Sequence, residues 1–451
     1  MRLLIVSNGY PPTAFGGVEN YSADLARSLS AEGLDVSVVC AEHCDSAEDG
    51  DVIEDSDGGI PVFRIVNDFK RRIGFTETFS DPLIDSLLAR LLEDLAPDVV
   101  HLNHLIALSA QVPHLIASQG IPFVYTFHDF WPLCQRVNLV NWQGRRCPGS
   151  AAGGDCLRCL THGTLVQRAR TWAIDRFRSG VPYGLRAALR RVVTNQTAAA
   201  PNLRPTTEAL KHRWRVFCDG ASLAELILTP SEFVAATYVA NGYPADRIRV
   251  LALGMDTPVA GRSASQFADR RLRFGYVGSI LPLKGVDVLV KAFRSIRLQG
   301  ATLEIFGRDD IMPRYSRQLR RLAATDARVR FRGAFSPDEK DDIYGEMDVL
   351  VVPSRAQETF SFVVREAMLR GVPVVAARVG ALPEAVSHGV NGWLFSPGDV
   401  DELAALLVSI IARPDALGAL DLPGPLETLT VRDHVAVLES IYAGFVSRHP
   451  V

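Results

Sequence analysis

The stretch Asp348-Val-Leu-Val-Val-Pro-Ser354, followed after three residues by Glu358-Thr-Phe-Ser-Phe-Val-Val-Arg-Glu366 and then Ala367-Met-Leu-Arg-Gly-Val-Pro373, decides the fold. Val349 to Val352 form an unbroken apolar run, as a strand covered by helices on both faces requires. Pro353 and Ser354 end it. A helix starting near Ser361 would bury Val363, Val364, Ala367 and Met368, and Gly371 with Pro373 supplies a left-handed cap and a stop. Val372 to Ala376 then reads as the next parallel strand. In such a unit of an α/β sheet the helix N-terminus sits at the carboxyl edge of the strands, where free N–H groups and the positive dipole end favour an anion. Glu358 precedes that helix and Glu366 lies in its early turns.

The whole chain has 451 residues, too many for one ordinary core and suited to two domains of about 200 residues each. An apolar fraction of 47% supports globular folding, and a net charge of −3 argues against nucleic acid as the main partner. The apolar run at the start, Leu3 to Val6, is too short for a secretory signal and reads as a first buried strand. No stretch approaches the ~20 apolar residues of a membrane span. The expectation is a cytoplasmic protein whose seven cysteines are thiols or metal ligands rather than disulfides.

In the N-terminal half the first strand runs into Gly9-Tyr-Pro-Pro-Thr-Ala-Phe-Gly-Gly17 and then a helix, again placing free N–H groups at a sheet edge. The absence of Gly-x-Gly-x-x-Gly there argues against a nicotinamide dehydrogenase. Val36 to Cys40 reads as the second strand, and residues 42 to 59 as a polar loop. Two later strands end in His101-Leu-Asn-His104 and in His128-Asp129.

An insertion follows, about residues 130 to 165, with Cys134, Cys147, Cys156 and Cys159 among glycines and prolines. A loop of that kind without a core calls for a staple, and four thiolates around one ion are the natural candidate, zinc first and an iron–sulfur cluster second; four free thiols are the alternative. Residues 165 to 193 carry seven arginines against Asp175 alone, interleaved with apolar residues. That is either a solvated helix face or a peripheral contact with an anionic membrane or a phosphorylated acceptor. A polar linker near 257 to 263 then separates the halves. In the second half, Gly278-Ser279 and Lys284-Gly285 bound the loop after a strand at 272 to 277, and a lysine at such a loop suits a diphosphate.

The Glu358/Glu366 pair, seven residues between, resembles the Glu-x7-Glu motif of family-4 retaining glycosyltransferases of the GT-B fold. Gly16-Gly17, His128-Asp129 and Lys284-Gly285 match further landmarks of that family in order, and one branch of it carries a similar Cys-bearing insertion. The resemblance implies two doubly wound Rossmann-like domains facing across a cleft: residues 1–260 on the acceptor side, with a C-terminal helix at about 431–447 packing back on them, and residues 265–430 binding the donor. It implies retaining transfer of a sugar from a nucleoside diphosphate sugar to an acceptor hydroxyl, by front-face attack and leaving-phosphate stabilisation, with no catalytic cofactor. His128, Lys284 and Glu358 become the catalytic candidates. Gly16, Gly17, Gly278, Ser279, Lys284, Arg308, Thr359, Phe360, Ser361 and Glu366 become the donor-binding set, with Glu358 on the donor sugar and Glu366 on the ribose hydroxyls. The family usually has glycines where this chain has Thr359 and Ser361, and Arg where it has Ser279. A catalytically silent sugar-nucleotide binder and a phosphorylase-like enzyme of the same fold are the competing readings.

Overall fold

The apolar run at 349–352 forms a strand in which every residue is buried, and the run at 374–377 forms its parallel neighbour, Leu350 pairing Val374 and Val352 pairing Ala376. The computed structural model describes residues 1–71, 74–149, 156–161, 205–256, 271–298, 300–422 and 429–448. The chain divides into two units, Met1–Thr229 with Ala235–Arg249 and Leu438–Val451, and Pro230–Val234 with Val250–Val437.

Among the described residues the first unit is built on a sheet of β1 (Arg2–Ser7), β2 (Asp35–Glu42), β3 (Val52–Asp57), β4 (Ile60–Val66), β5 (Val99–Leu102), β6 (Phe123–Thr126), β7 (Leu226–Thr229) and β8 (Ile248–Val250). Its order is β3-β4-β2-β1-β5-β6-β7-β8. The chain winds outward in both directions from β1, so the loops after β1 and β5 diverge and leave a crevice at the carboxyl ends of those strands. Leu3 to Val6 are at most 2% exposed, in keeping with a strand covered on both faces.

Residues 52–57, expected to be loop, are instead β3, antiparallel to β4 at the sheet's edge. The sequence Val-Ile-Glu-Asp-Ser-Asp hid this because its side chains are almost all exposed and so show no apolar alternation. The strand anchors its neighbours: Asp57 accepts from Tyr10 (2.8 Å) and Arg27 (2.9 Å), and Asp55 accepts from Arg64 (3.0 Å).

The second unit holds β9 (Leu272–Val277), β10 (Ala301–Phe306), β11 (Val329–Gly333), β12 (Val349–Val352), β13 (Val374–Ala377) and β14 (Gly392–Phe395), in the order β11-β10-β9-β12-β13-β14 and parallel throughout. Helices including Val286–Ser295, Phe362–Leu369 and Val400–Ala412 cover it, and one continuous core joins Phe274, Leu289, Phe293, Leu350, Val375 and Leu407. Here the direction reverses between β9 and β12. The loops that follow these two strands, 278–285 and 353–361, therefore open the crevice of this unit. Among the described residues no helix is long and apolar enough to cross a membrane.

Candidate functional site

In the second unit the two loops are joined backbone to backbone. Arg355 N donates to Leu283 O at 2.8 Å, and Gly285 sits at φ 70°, where a Cβ would collide with Pro353 O. Only glycine fits such an approach. The contact puts Lys284 beside Glu358: Nζ lies 2.8 Å from Oε1, and Ser354 Oγ donates to the same oxygen at 2.5 Å. Burial pushes the Glu358 carboxyl up, but Lys284 and the Ser354 hydroxyl outweigh it and hold the group below its ordinary value. Glu358 is thus a fixed anion, while the Lys284 side chain remains 41% exposed.

Ser361 caps the helix Phe362–Leu369 at φ 62°, in the left-handed region, where its side chain makes no cap bond. Its Oγ is buried without a hydrogen-bond partner. A strained residue and an unsatisfied hydroxyl at a helix N-terminus together mark a place where a ligand oxygen would be welcome. Thr359 is held through its carbonyl, which accepts from Ser231 Oγ at 2.7 Å. Phe360 is 2% exposed, its ring packed on Phe362 and under the Arg365 guanidinium, so its side chain is core and its backbone is what a ligand could meet.

Gly278, at φ 143°, and Gly307 pack backbone on backbone, and Ser279 accepts from Tyr276 through its carbonyl at 2.8 Å. Arg308 contributes by its carbonyl, which accepts from Ile280 N at 3.1 Å, while its guanidinium pairs with Asp310. Glu366 is 9% exposed and engaged at both oxygens, with Lys340 Nζ 2.7 Å from Oε1 and the Tyr344 hydroxyl 2.8 Å from Oε2. Sequence reading missed Lys340 and Tyr344. Their spacing of four in a helical segment, which puts both on one face, was the available signal. It also missed Arg355, bound to Asp287 at 2.7 and 2.9 Å.

In the first unit, Gly16 and Gly17 open the helix Gly17–Ala31. A Cβ on Gly16 would collide with Glu19 Oε2, whereas one on Gly17 would meet nothing within 4 Å. The preceding loop is tied down by Arg64, 3% exposed, which donates to Tyr10 O, Pro11 O and Thr13 Oγ1 and pairs with Glu42. Asn103, His104, His128 and Asp129 line one cavity. His128 Nε2 lies 3.2 Å from Asn103 Oδ1, and Asn103 Nδ2 donates to Ser22, so the histidine is the donor in that pair. The Tyr21 ring lies against it, centroids 4.8 Å apart and planes tilted by 60°. His104 Nε2 lies 2.9 Å from Asp129 Oδ2; burial pushes the Asp129 carboxyl up, and His104 outweighs it. His101 is structural, bonded within this unit to Tyr442 (2.6 Å) and Thr126 (2.7 Å).

Cys134, Cys147, Cys156 and Cys159 are free, half-buried thiols. Burial first, then the charges of the three other cysteines, push the Cys156 thiol up to about 11. Among the described residues, however, no three His, Cys, Asp or Glu side chains are gathered as a metal-ligand set. The insertion also has anchors that need no ion. Buried Arg213 donates to the carbonyls of Trp131 and Pro132, Asn241 Nδ2 donates to Pro148 O at 2.9 Å, and the Tyr238 hydroxyl donates to Asp129 O at 2.7 Å. The basic stretch 165–193 lies outside the described residues.

Residues 15–258 match the family model described as Glycosyltransferase Family 4, and residues 271–413 match the one described as Glycosyl transferases group 1. The chain is 29% identical over 194 residues to the amylovoran biosynthesis glycosyltransferase AmsK of Erwinia amylovora, covering 41% of this chain and 47% of that protein. It is 32% identical over 199 residues to a D-inositol 3-phosphate glycosyltransferase of Rhodococcus jostii, covering 41% and 44%. The matches therefore span less than half the length of these relatives. Among solved structures, Anabaena HepE in complex with UDP and glucose superposes with a TM-score of 0.58 at 18% identity, over 99% of this chain and 98% of that one.

Proposed function

The chain belongs to glycosyltransferase family 4 and has the GT-B fold, and on that premise we propose that it transfers a sugar from a nucleoside diphosphate sugar to an acceptor hydroxyl with retention at the anomeric carbon. The observation that carries the proposal is the Lys284–Glu358 pair at the crevice of the second unit, with Glu366 eight residues on. Lys284 has three donors, of which one reaches Glu358. The remaining ones, with the N–H groups of the helix at Phe362 and the Ser361 hydroxyl, would stabilise the charge that develops on the departing diphosphate. Preorganised donors of this kind usually supply more of an enzyme's rate than any other single effect. Glu366 would take the ribose hydroxyls and Glu358 a sugar hydroxyl. His128, a hydrogen-bond donor in its present pairing, would meet the donor sugar.

UDP-glucose is the first donor to try, given the ligands of the Anabaena structure. Release of UDP that depends on an added acceptor extract supports transfer; release by water alone, or none from any nucleotide sugar, overturns it. The proposal extends to a structural zinc ion on Cys134, Cys147, Cys156 and Cys159, which would have to draw the four thiols into its shell. Elemental analysis finding about one zinc per chain supports that extension, and full activity of metal-free protein removes it. A peripheral contact with an anionic membrane through stretch 165–193 belongs to the same proposal.

A further inference from the structure

Glu366 is held at both ends of its carboxylate by residues that neither the Glu-x7-Glu spacing nor the proposed chemistry uses. Lys340 Nζ lies 2.7 Å from Oε1 and the Tyr344 hydroxyl 2.8 Å from Oε2. Tyr344 is 1% exposed, and burial together with Glu366 raises its hydroxyl well above the ordinary value, so it is a permanent donor. The segment that presents both residues is itself braced. Arg370 donates to Asp341 Oδ1 at 2.6 Å and to the Glu366 carbonyl at 3.2 Å, and its guanidinium lies 5.3 Å from the Tyr344 ring centroid.

A carboxylate offers about four acceptor sites, two on each oxygen. With one site on each oxygen filled from the protein, one on each remains. That is the pattern two vicinal hydroxyls need. A glutamate free to rotate would satisfy a single hydroxyl almost as well as two, whereas one clamped at both oxygens presents a fixed pair of acceptors and loses half its bonding when a hydroxyl is missing.

We propose that Lys340 and Tyr344 are positioning residues for nucleotide recognition: they lock Glu366 so that its remaining acceptors take both hydroxyls of a ribose, making the site selective for ribonucleoside over 2′-deoxyribonucleoside diphosphates. The inference rests on the reading that Glu366 holds the ribose, and the test separates the two.

The experiment is calorimetric titration of the full chain with UDP and 2′-deoxy-UDP, and with GDP and 2′-deoxy-GDP if GDP binds more tightly. The unaltered protein is expected to prefer the ribonucleotide by about tenfold or more, the size of a hydrogen bond to a charged group. Lys340→Met and Tyr344→Phe are each expected to lower ribonucleotide affinity and bring the preference to about twofold while leaving deoxynucleotide affinity unchanged; Lys340→Arg restores it. Equal weakening of both nucleotides, or an undiminished preference, overturns the proposal, with thermal melts confirming that each variant is folded. Glu366→Ala serves as the reference. If it leaves the preference intact, the ribose assignment itself fails; if it abolishes a preference that Lys340→Met and Tyr344→Phe retain, the assignment stands and the positioning role falls.

Discussion

Each unit holds a cation beside the loop at its switch point, and the two cations are used in opposite ways. In the first unit the Arg64 side chain is 4% exposed, beside Glu42 at 9%, and its donors go to Tyr10, Pro11, Thr13, Glu42 and Asp55. In the second, Lys284 is 41% exposed and reaches Glu358 with one of its three donors. The contrast follows from side-chain chemistry. A planar fork with five donors suits the simultaneous satisfaction of several fixed acceptors, and a flexible ammonium keeps donors in reserve for a ligand. Arg64 builds the loop; Lys284 is available to act.

Removing each cation tells the two uses apart. Arg64→Ala would leave Glu42 buried and unpaired beside open carbonyls, and is expected to cost about 3–5 kcal/mol in urea unfolding. A loss near that of an exposed surface pair would make Arg64 merely peripheral. Lys284→Ala is expected to lower kcat about 100-fold, by analogy with deletion of one oxyanion donor, and to cost some stability, less than Arg64→Ala, because Glu358 loses its counter-charge. Near-normal turnover would end its assigned role, and a collapse in stability would make it another Arg64.

Two smaller effects sharpen the picture of the second unit. Ser361→Gly relieves a left-handed backbone at the expense of extra chain entropy, for a net stabilisation of roughly 0.5–1 kcal/mol. Measured with donor kinetics, it should also raise KM if the buried hydroxyl meets the donor; unchanged stability and KM together would show the strain to be without consequence. The smallest effect is on pH dependence. Because Glu358 sits below its ordinary value, the folded state binds a proton there less readily than the unfolded chain does. Its contribution is present above the unfolded carboxylate value of about 4.3 and is lost as pH falls through the lower folded value. In Lys284→Met burial dominates, so the folded value is expected to rise and that acid loss to reverse sign. Identical pH slopes in the two proteins, measured by urea melts across the acid range, would rule out Lys284 as the counter-charge.

The sequence reading anticipated the strand, helix and strand around 348–377 closely, because its signals are local. Continuous valines mark a two-sided burial, and Gly371 with Pro373 marks a stop. Glu358 and Glu366 were legible as a pair because both lie in one short segment. The edge strand β3 was not legible, since exposure on both faces erases periodicity. Nor was the left-handed turn at Ser361, because serine gives no cue of the kind glycine does.

By itself the sequence determined the class of fold, since that depends on which residues face inward along a single element. The tertiary structure alone decided which polar groups meet. Lys284 finds Glu358 across 74 positions of sequence, Lys340 finds Glu366 across 26, and Arg213 finds the carbonyls beside the cysteine insertion across more than 80. Those meetings depend on strand order and on backbone approaches such as Gly285 against Pro353, and no periodicity along the chain encodes them, because a parallel sheet brings together loops whose separation is set by the helices between.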